Sequence, residues 1–469
     1  NGVVHVGDSR RPAGRVGEPP SVHLGEQLRT LGLRVGRLKT GTPPRLSRRT
    51  IDFDRCVSDG VFHVEHGDAP AVPLSFLAER APQNSAACWR LSTTEQSHDL
   101  VRTNIEASPL YNGQIEGIGP RYCPSFEDKV MRFPDRDRHL LVLEPEGLDA
   151  DEIYVNGLSM SLPQSVQEAI VRSLPGLVGA RMLRPGYAVE YDFVQPTELH
   201  RTLACRKYQG LFLAGQINGT SGYEEAAGQG VIAGANAALA SLGRELIEIQ
   251  RSDGYLGVMA DDLTTQGCVE PYRLFTSRAE FRLHLRADNA DLRLTPTGRA
   301  VGLVDDRRWR AFEDRQERLE RNERALRSTS VSAPSGGTVT AEAALRWQAV
   351  SARTLISKGV ALEDGGAAGH DLATLQTEVK YAGYLRRQEA EIRRARQAEY
   401  QRIPAEFSFV GLPGLSSELT QRLSHVRPES LGQAARVPGM TPAALVLLHA
   451  VLSRQKDHGD AISSRPASA

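Results

Sequence analysis

Lysine is scarce in this 469-residue chain. Only six of its 57 basic residues are lysine, the rest are arginine, and 57 acidic residues bring the formal net charge to zero. Arginine forks suit phosphates and carboxylates, and a biased genome composition produces the same surplus. Cysteine is sparse too: Cys56, Cys88, Cys123, Cys205 and Cys268 are scattered, odd in number and never spaced C-x-x-C. That argues against a disulfide framework and a zinc site, so no metal is expected, and it points to a reducing cytoplasm. Long apolar runs are missing. The longest, around Ala443 to Leu452, is broken by His449 and too short to span a bilayer, so no membrane role is expected. Nothing resembles a signal peptide, and the first residue is Asn1 rather than Met, which reads as a chain that begins mid-protein or has been processed. What is present, 40% hydrophobic, 24% charged and 6% aromatic residues, is the composition of a soluble globular protein long enough for two or three domains.

Up to about residue 245, short apolar strands alternate with Gly/Pro turns and helical stretches, which favours an α/β class. The pattern predicts strands at Gly2–Val6, Leu140–Leu143, Gly186–Tyr191 and Gly210–Ala214. Beyond that the texture changes. Arg307 to Arg327 reads as a charged helix on a sparse spine of Trp309, Phe312, Leu319 and Leu326, and "STSVSAPSGGTVT" (328–340) reads as a surface loop or linker. A second long helix is predicted from Gln376 to about Arg402, with seven basic and four acidic side chains. From Leu415 to about Leu452, short helices are punctuated by "RPESLGQ" and "PGMTPAA", with Thr441 as a cap and Pro442 in the first turn. The final "DHGDAISSRPASA" reads as disordered, and no internal repeat is visible.

Four stretches carry candidate chemistry. In "LFLAGQINGTSGYEEAAGQGVIAGANAALA" (211–240) an apolar strand stops at Ala214-Gly215, a small-residue loop follows, and an Ala/Gly-rich helix begins near Tyr223. Backbone N–H groups and the helix dipole then converge on one point suited to an anionic ligand; an ordinary turn is the alternative. Gly228-x-Gly230-x-x-x-Gly234 lies inside the helix, where glycines permit close packing, so Gly215 to Thr220 is the better ligand candidate. In "GIGPRYCPSFEDKVMRF" (117–133), Pro124 takes a first-turn position and puts Cys123 at the N-cap, where the dipole and Arg121 favour its thiolate. An inert buried thiol is the other reading. "RVGRLKTGTPPR" (34–45) gathers Arg34, Arg37, Lys39 and Arg45 around a Gly-Thr-Pro-Pro turn that could meet a phosphate or an RNA backbone, or stand as a salt-bridged solvated turn. "EPYRLFTSRAEFRLHLRADNADLRLT" (270–295) interleaves arginines with aromatics, as single-stranded RNA sites and amphipathic core helices both do.

Taken together, these segments resemble the MnmG (GidA) family, FAD-dependent enzymes that build a carboxymethylaminomethyl group on C5 of the tRNA wobble uridine. The likeness covers nearly the whole chain. It is carried by "GRLKTGTPPR", "SPLYNGQIEGIGPRYCPSFEDKVMRF", "LEPEG", "NGLSMSLP", "RPGYAVEYDF", "LFLAGQINGTSGYEEAAGQG", "EPYRLFTSRAEFRL", "DNADLRLT" and "SLGQAARVPGMTPAAL". The implied fold is α/β: a partial FAD-binding Rossmann-like (glutathione-reductase-like) domain with an inserted α/β region, followed by an α-helical C-terminal domain. The implied division is 1–245 for FAD and NAD, 246–330 as a helical connection with the basic/aromatic segment, 331–374 as linker and variable region, and 375–469 as the helical part that meets tRNA and partner. The resemblance implies FAD at Gly215, Gln216, Asn218, Gly219, Tyr223 and Glu224. It implies NAD along Gly119, Pro120, Arg121, Tyr122, Cys123, Pro124, Ser125, Phe126, Glu127, Asp128, Lys129, Val130, Met131, Arg132 and Phe133. NADH would be the reductant and methylenetetrahydrofolate the one-carbon donor. The partners implied are the tRNA anticodon loop and the GTPase MnmE, with a homodimer joining two MnmE subunits. One departure stands out. The family's opening strand, G-x-G-x-x-G turn and helix have no match here, and a second family cysteine is absent with them, so the expectation is a fragment holding part of a flavin site.

Uracil C5 is a poor nucleophile, and a thiolate added at C6 makes it enolate-like; Cys123 is the expected catalytic residue. Arg37, Lys39 and Arg45 are the expected RNA contacts, with the basic helix from Gln376 as a weaker candidate. Two other functions remain open: a non-catalytic fragment that binds tRNA or the GTPase, and a flavin oxidoreductase acting on a small molecule.

Overall fold

The computed structural model describes residues 1–59, 73, 75–80, 86–122, 124–334, 336–365 and 369–463. Cys123 lies outside the described residues. Two antiparallel sheets form the first half. One has the order Ser9–Pro12, Gly2–Val6, Tyr187–Val194, Val35–Thr42. The strand Tyr187–Val194 is buried along its whole length although it alternates polar and apolar residues. Its two faces explain this. Tyr191 and Phe193 pack with Leu38, Met259 and Leu263, while Glu190 and Asp192 face the other way into ion pairs, so neither face leaves a charge uncompensated.

The second sheet runs Val57–Asp59, Cys88–Ser92, Leu140–Pro145, Glu152–Asn156, Arg45–Ser47, Met182–Arg184. It rests on the largest core, in which Phe126, Leu141, Leu143, Ile153, Leu158 and Ile170 are buried. The chain passes between the sheets at Pro43-Pro44, where two missing N–H donors cannot continue a ladder. The expected strand Gly210–Ala214 does not form. Its middle makes an isolated bridge, Ala204 to Phe212, and Cys205 N–H donates to Leu211 O at 2.7 Å. An apolar run becomes a strand only where a partner runs alongside it for several residues, and none does among the described residues. Leu213 instead joins Leu199, Leu203 and Ile232 in a small core.

The second half is helical. Asp305 caps the helix Asp306–Ser328 through Arg308 N at 2.8 Å. The stretch expected as a loop is a hairpin, Ser330–Ser332 with Thr338–Thr340, in which Gly336 and Gly337 both take positive φ. Val331 of this hairpin packs with Leu326, Leu345, Leu355 and Leu375, so this region has a core of its own. The predicted long helix is two helices, His370–Lys380 and Ala382–Tyr400, parted at Tyr381 ahead of the poor helix former Gly383. Ser417–Val426, Leu431–Arg436 and Pro442–Ser463 form a terminal bundle whose core residues all lie between Ile403 and Leu452. Thr441 caps as expected, accepting from Ala444 N at 3.2 Å. Ser416 does the same for Leu419 N at 3.1 Å. Pro413-Gly414-Leu415-Ser416 and Pro438-Gly439-Met440-Thr441 thus repeat one turn, with φ +93° and +89° at their glycines, a short repeat hidden by its sequence changes. The last helix runs to Ser463, so the start of the tail expected to be disordered is helical, and 464–469 lie outside the described residues.

Candidate functional site

Gly215 and Gly219, at φ +83° and +73°, bound a single 3-10 turn, Gly215–Asn218, just ahead of the helix Tyr223–Ser241. A side chain from that helix locks the turn. The Gln229 carbonyl oxygen accepts from Gly215 N–H at 2.8 Å and from the Asn218 amide at 3.0 Å, and its own amide donates to Thr220 Oγ1 at 2.8 Å. Asn218 also donates to Leu213 O at 2.8 Å, and its buried Oδ1 has no partner among the described residues. Gln216, Tyr223 and Glu224 stand outside this knot, exposed.

The helix N-terminus differs from the expectation of a free anion seat. Glu225 curls back over Gly222 and accepts from Leu274 N–H and Arg273 Nε, each at 3.1 Å. Burial would raise its pKa, but the backbone N–H groups and Arg273 together hold the carboxyl below its usual range. The chain therefore supplies its own anion there. What remains open is a flat surface: Ala227, Gly230, Val231 and Gly234 are exposed along one side of the helix, and a Cβ added at Gly230 or Gly234 would meet nothing within 4 Å. Gly228, by contrast, faces Leu256 so closely that a Cβ there would collide, as close helix packing demands. A turn with buried glycines beside an open, glycine-smoothed face fits a planar ring system better than a phosphate at the helix N-terminus.

The stretch Gly119 to Phe133 forms one wall of a cleft of about 700 Å³ whose lining includes Lys39, Tyr111, Gly119, Arg121, Met131, Arg132 and Glu270. The Lys39 side chain lies against Gly119, where an added Cβ would have to displace it. The helix here is Phe126–Arg132, and its N-cap is Ser125, which accepts from Asp128 N at 3.1 Å. The expected cap at Cys123 is corrected accordingly, since a hydroxyl is the better acceptor for an N–H. The described residues of this stretch divide by direction. Phe126 and Val130 enter the core. Glu127 is wholly buried, accepting from Ser161 N at 2.7 Å and from the hydroxyls of Ser161 and Ser108, and burial pushes its pKa up. Lys129 donates to Gly157 O at 2.8 Å. Pro120, Asp128 and Arg132 line the cleft, and Tyr122 and Phe133 are exposed. Tyr111, hydrogen-bonded to Asp128 at 3.2 Å, has its phenol pushed up to about 12 by burial and that carboxylate.

A strap ties the turn to the cleft. Tyr272 N–H donates to Gly219 O at 2.8 Å, while on either side of it Glu270 pairs with Arg121 at 3.3 Å and Phe275 packs edge-on against Tyr122. The expected RNA contacts are placed less openly. Arg37 pairs with Asp192 at 2.8 Å, and Lys39 is nearly buried. Arg45 pairs with Glu146, donates to Thr42 Oγ1 and Pro43 O, and stacks over Tyr154. On the helix Ala382–Tyr400, by contrast, Arg386, Arg387, Arg393 and Arg394 are exposed and reach no carboxylate among the described residues; Arg387 lies over the Tyr384 ring. Gln229 and Glu225 escaped the sequence reading, and Arg273, read there as one of the arginines of a basic and aromatic stretch, instead holds Glu225. The only local sign was an amide and a carboxylate on an otherwise Ala/Gly-rich helix.

An α/β body that continues into helical modules defines the class. The chain belongs to the GidA family. The family model described as glucose inhibited division protein A matches residues 1–245. Models for the C-terminal helical domain and the C-terminal helical bundle of the tRNA modifying enzyme MnmG/GidA match 306–389 and 391–469. Two crystal structures of Aquifex aeolicus GidA are similar throughout. The form II structure is 40% identical with a TM-score of 0.84, covering 96% of this chain and 73% of that one. The form I structure is 41% identical with a TM-score of 0.85, covering 96% and 74%. The fold is thus that of a FAD-binding Rossmann-like domain with an inserted α/β region and a helical C-terminal domain, and the family is one of FAD-dependent tRNA-modifying enzymes.

Proposed function

We propose that this chain works in the FAD-dependent modification of C5 of the tRNA wobble uridine, together with a GTPase of the MnmE kind. The observation that carries the reading is the Gln229-locked turn and the strap that ties it to the Gly119–Phe133 cleft. Gly215, Gln216, Asn218, Gly219, Tyr223 and Glu224 would hold FAD, which supplies the redox chemistry when bound. In the cleft, Arg121, Arg132 and Lys39 would meet the pyrophosphate of NADH, and Tyr111 and Tyr122 offer ring faces. Cys123 would add as thiolate to uracil C6 and move an electron pair onto C5. C5 then bonds to a one-carbon electrophile derived from methylenetetrahydrofolate, loses its proton, and the thiolate leaves. A homodimer joining two GTPase subunits belongs to the same reading. The test is anaerobic: NADH added to the FAD-loaded chain should bleach the visible flavin band, and with partner and tRNA supplied, Cys123→Ser should abolish product without preventing the bleaching. Full modification by that variant would remove the covalent role.

The RNA contacts of this reading rest mainly on Ala382–Tyr400. Replacing Arg386, Arg387, Arg393 and Arg394 by alanine should weaken tRNA binding and flatten its dependence on log salt by about 3. Arg37→Ala or Arg45→Ala would disturb ion pairs of the fold and should change that slope by less than about 1 each. An unchanged slope in the fourfold variant would move the RNA elsewhere.

A further inference from the structure

One wall of the cleft has no secondary structure to hold it. Gln114 to Arg121 is irregular backbone on the edge of the first sheet, attached to the strand Val35–Thr42 by a parallel bridge between Leu38 and Ile118 and a hydrogen bond from Lys39 N–H to Ile118 O at 3.0 Å. Beneath it lies a buried carboxylate. Glu190 stands opposite Lys39 in the ladder and is 3% exposed, and its Oε1 accepts the consecutive N–H groups of Glu116 at 3.0 Å and Gly117 at 2.8 Å. Its Oε2 meets His5 Nε2 at 3.2 Å, and His5 Nδ1 lies 3.1 Å from the Gln114 amide nitrogen.

The directions of these bonds agree with one another. A carboxylate only accepts, so His5 carries its proton on Nε2, and its Nδ1 then accepts from Gln114. A neutral, fully buried His5 thus returns the clamp to the same loop it starts from. Gly117 has room for no side chain over Leu38 and Glu190. Two residues further on, Gly119 lets the Lys39 methylenes lie against the backbone that faces the cleft.

We infer that Glu190, oriented by His5, is the positioning residue of the cleft, fixing the Gly117–Arg121 wall for a dinucleotide through the N–H groups of Glu116 and Gly117. This rests on the dinucleotide reading proposed above for the same cleft. Glu190 touches no ligand in this arrangement. It acts through the loop, so its loss should be felt as weaker binding and local backbone opening, with the sheet and the flavin turn left in place.

Hydrogen–deuterium exchange of the peptide spanning 112–120 and NADH titration of the full chain, followed by fluorescence, test this together. Glu190→Ala should accelerate exchange of that peptide about tenfold or more and weaken NADH binding by a similar factor, the loss of charge-assisted hydrogen bonds. Glu190→Gln, which keeps a carbonyl acceptor and the side-chain volume, should show a smaller change in both and serves if the alanine variant does not fold. FAD titration should be unaffected by either. Exchange as slow in Glu190→Ala as in the parent chain would overturn the clamp, and faster exchange with unaltered NADH affinity would overturn the positioning role. A parent chain that binds no NADH, with exchange still accelerated by the substitution, would remove the dinucleotide reading and the positioning role with it, while leaving the clamp itself established.

Discussion

Truncating Arg436 to alanine should destabilise the attachment of the C-terminal bundle by about 3 kcal/mol or more, the cost of stranding buried carboxylates. Arg436 ends the short helix Leu431–Arg436 and turns out of the bundle into the rest of the protein. Its Nε and Nη2 donate to the two oxygens of Asp261 at 2.6 Å each, and its Nη1 reaches Glu399 at 2.7 Å. Burial works against the guanidinium charge, but Asp261 and Glu399 outweigh it and raise the Arg436 pKa. Asp261 is 1% exposed and would keep Arg251 at 3.1 Å and Arg201 at 3.7 Å, which places the expected cost at the lower end of the range for broken buried pairs. Arg436→Lys should recover only part of the loss, because an ammonium cannot form the parallel pair to one carboxylate. Among the described residues, the bundle core draws none from outside Ile403–Leu452, so the bundle should stay folded while its docking fails. Calorimetry should then show two separate transitions in the variant where the parent chain should show one, with proteolysis near Gln401 to Pro404 made easier. One unshifted transition in Arg436→Ala would mean that the apolar contacts alone hold the bundle in place.

What could be read from the sequence was what short-range chemistry decides. The helix Asp306–Ser328, the Thr441-Pro442 helix start and the strand Tyr187–Val194 all follow from periodicity and capping within a few residues. The failures have a common cause. Leu211 to Leu213 has the composition of a strand, yet whether it becomes one depends on a partner that is not adjacent in sequence. "APSGG" reads as a linker until Val331 and Val339 are seen to pair and pack on a core gathered from four other segments. The helix was read as starting at Pro124 with Cys123 as its cap, and it starts at Phe126, where the Ser125 hydroxyl accepts from Asp128 N. The glycine turn was found as a candidate, but the groups that hold it were not. Gln229 acts across a helical turn and a loop, Glu225 fills the helix N-terminus that seemed free, and Glu190 reaches a segment more than seventy residues away. Charged and amide side chains that hold other backbone segments leave no periodic trace.

Gln229→Leu should cost about 3 kcal/mol or more in stability and lower FAD affinity at least a hundredfold, the largest ligand effect expected from a residue outside the ligand's own surface. Gln229 is fully buried. Leucine has nearly its volume but none of its hydrogen bonds, so Gly215 N–H and one Asn218 N–H lose an acceptor inside the protein, at about 1–3 kcal/mol for each stranded group. Asn218 Oδ1 already has no partner among the described residues, so the turn has little reserve. The parent turn has positive φ at both ends, and with Gly215 N–H and Asn218 released from Gln229, Gly215 and Gly219 are the residues with most freedom to move away. Each 1.4 kcal/mol spent on re-forming the turn in the bound state is about tenfold in affinity, which is how a buried amide can control a surface it does not touch. Gln229→Glu separates the contributions. It keeps an acceptor for Gly215 and loses the donor to Thr220, whose hydroxyl can turn to donate instead, so affinity should fall less than in the leucine variant. Melting and FAD titration of both variants decide the matter. A leucine variant that melts earlier but binds FAD as the parent does would show that this turn is a structural joint and that the flavin is held elsewhere.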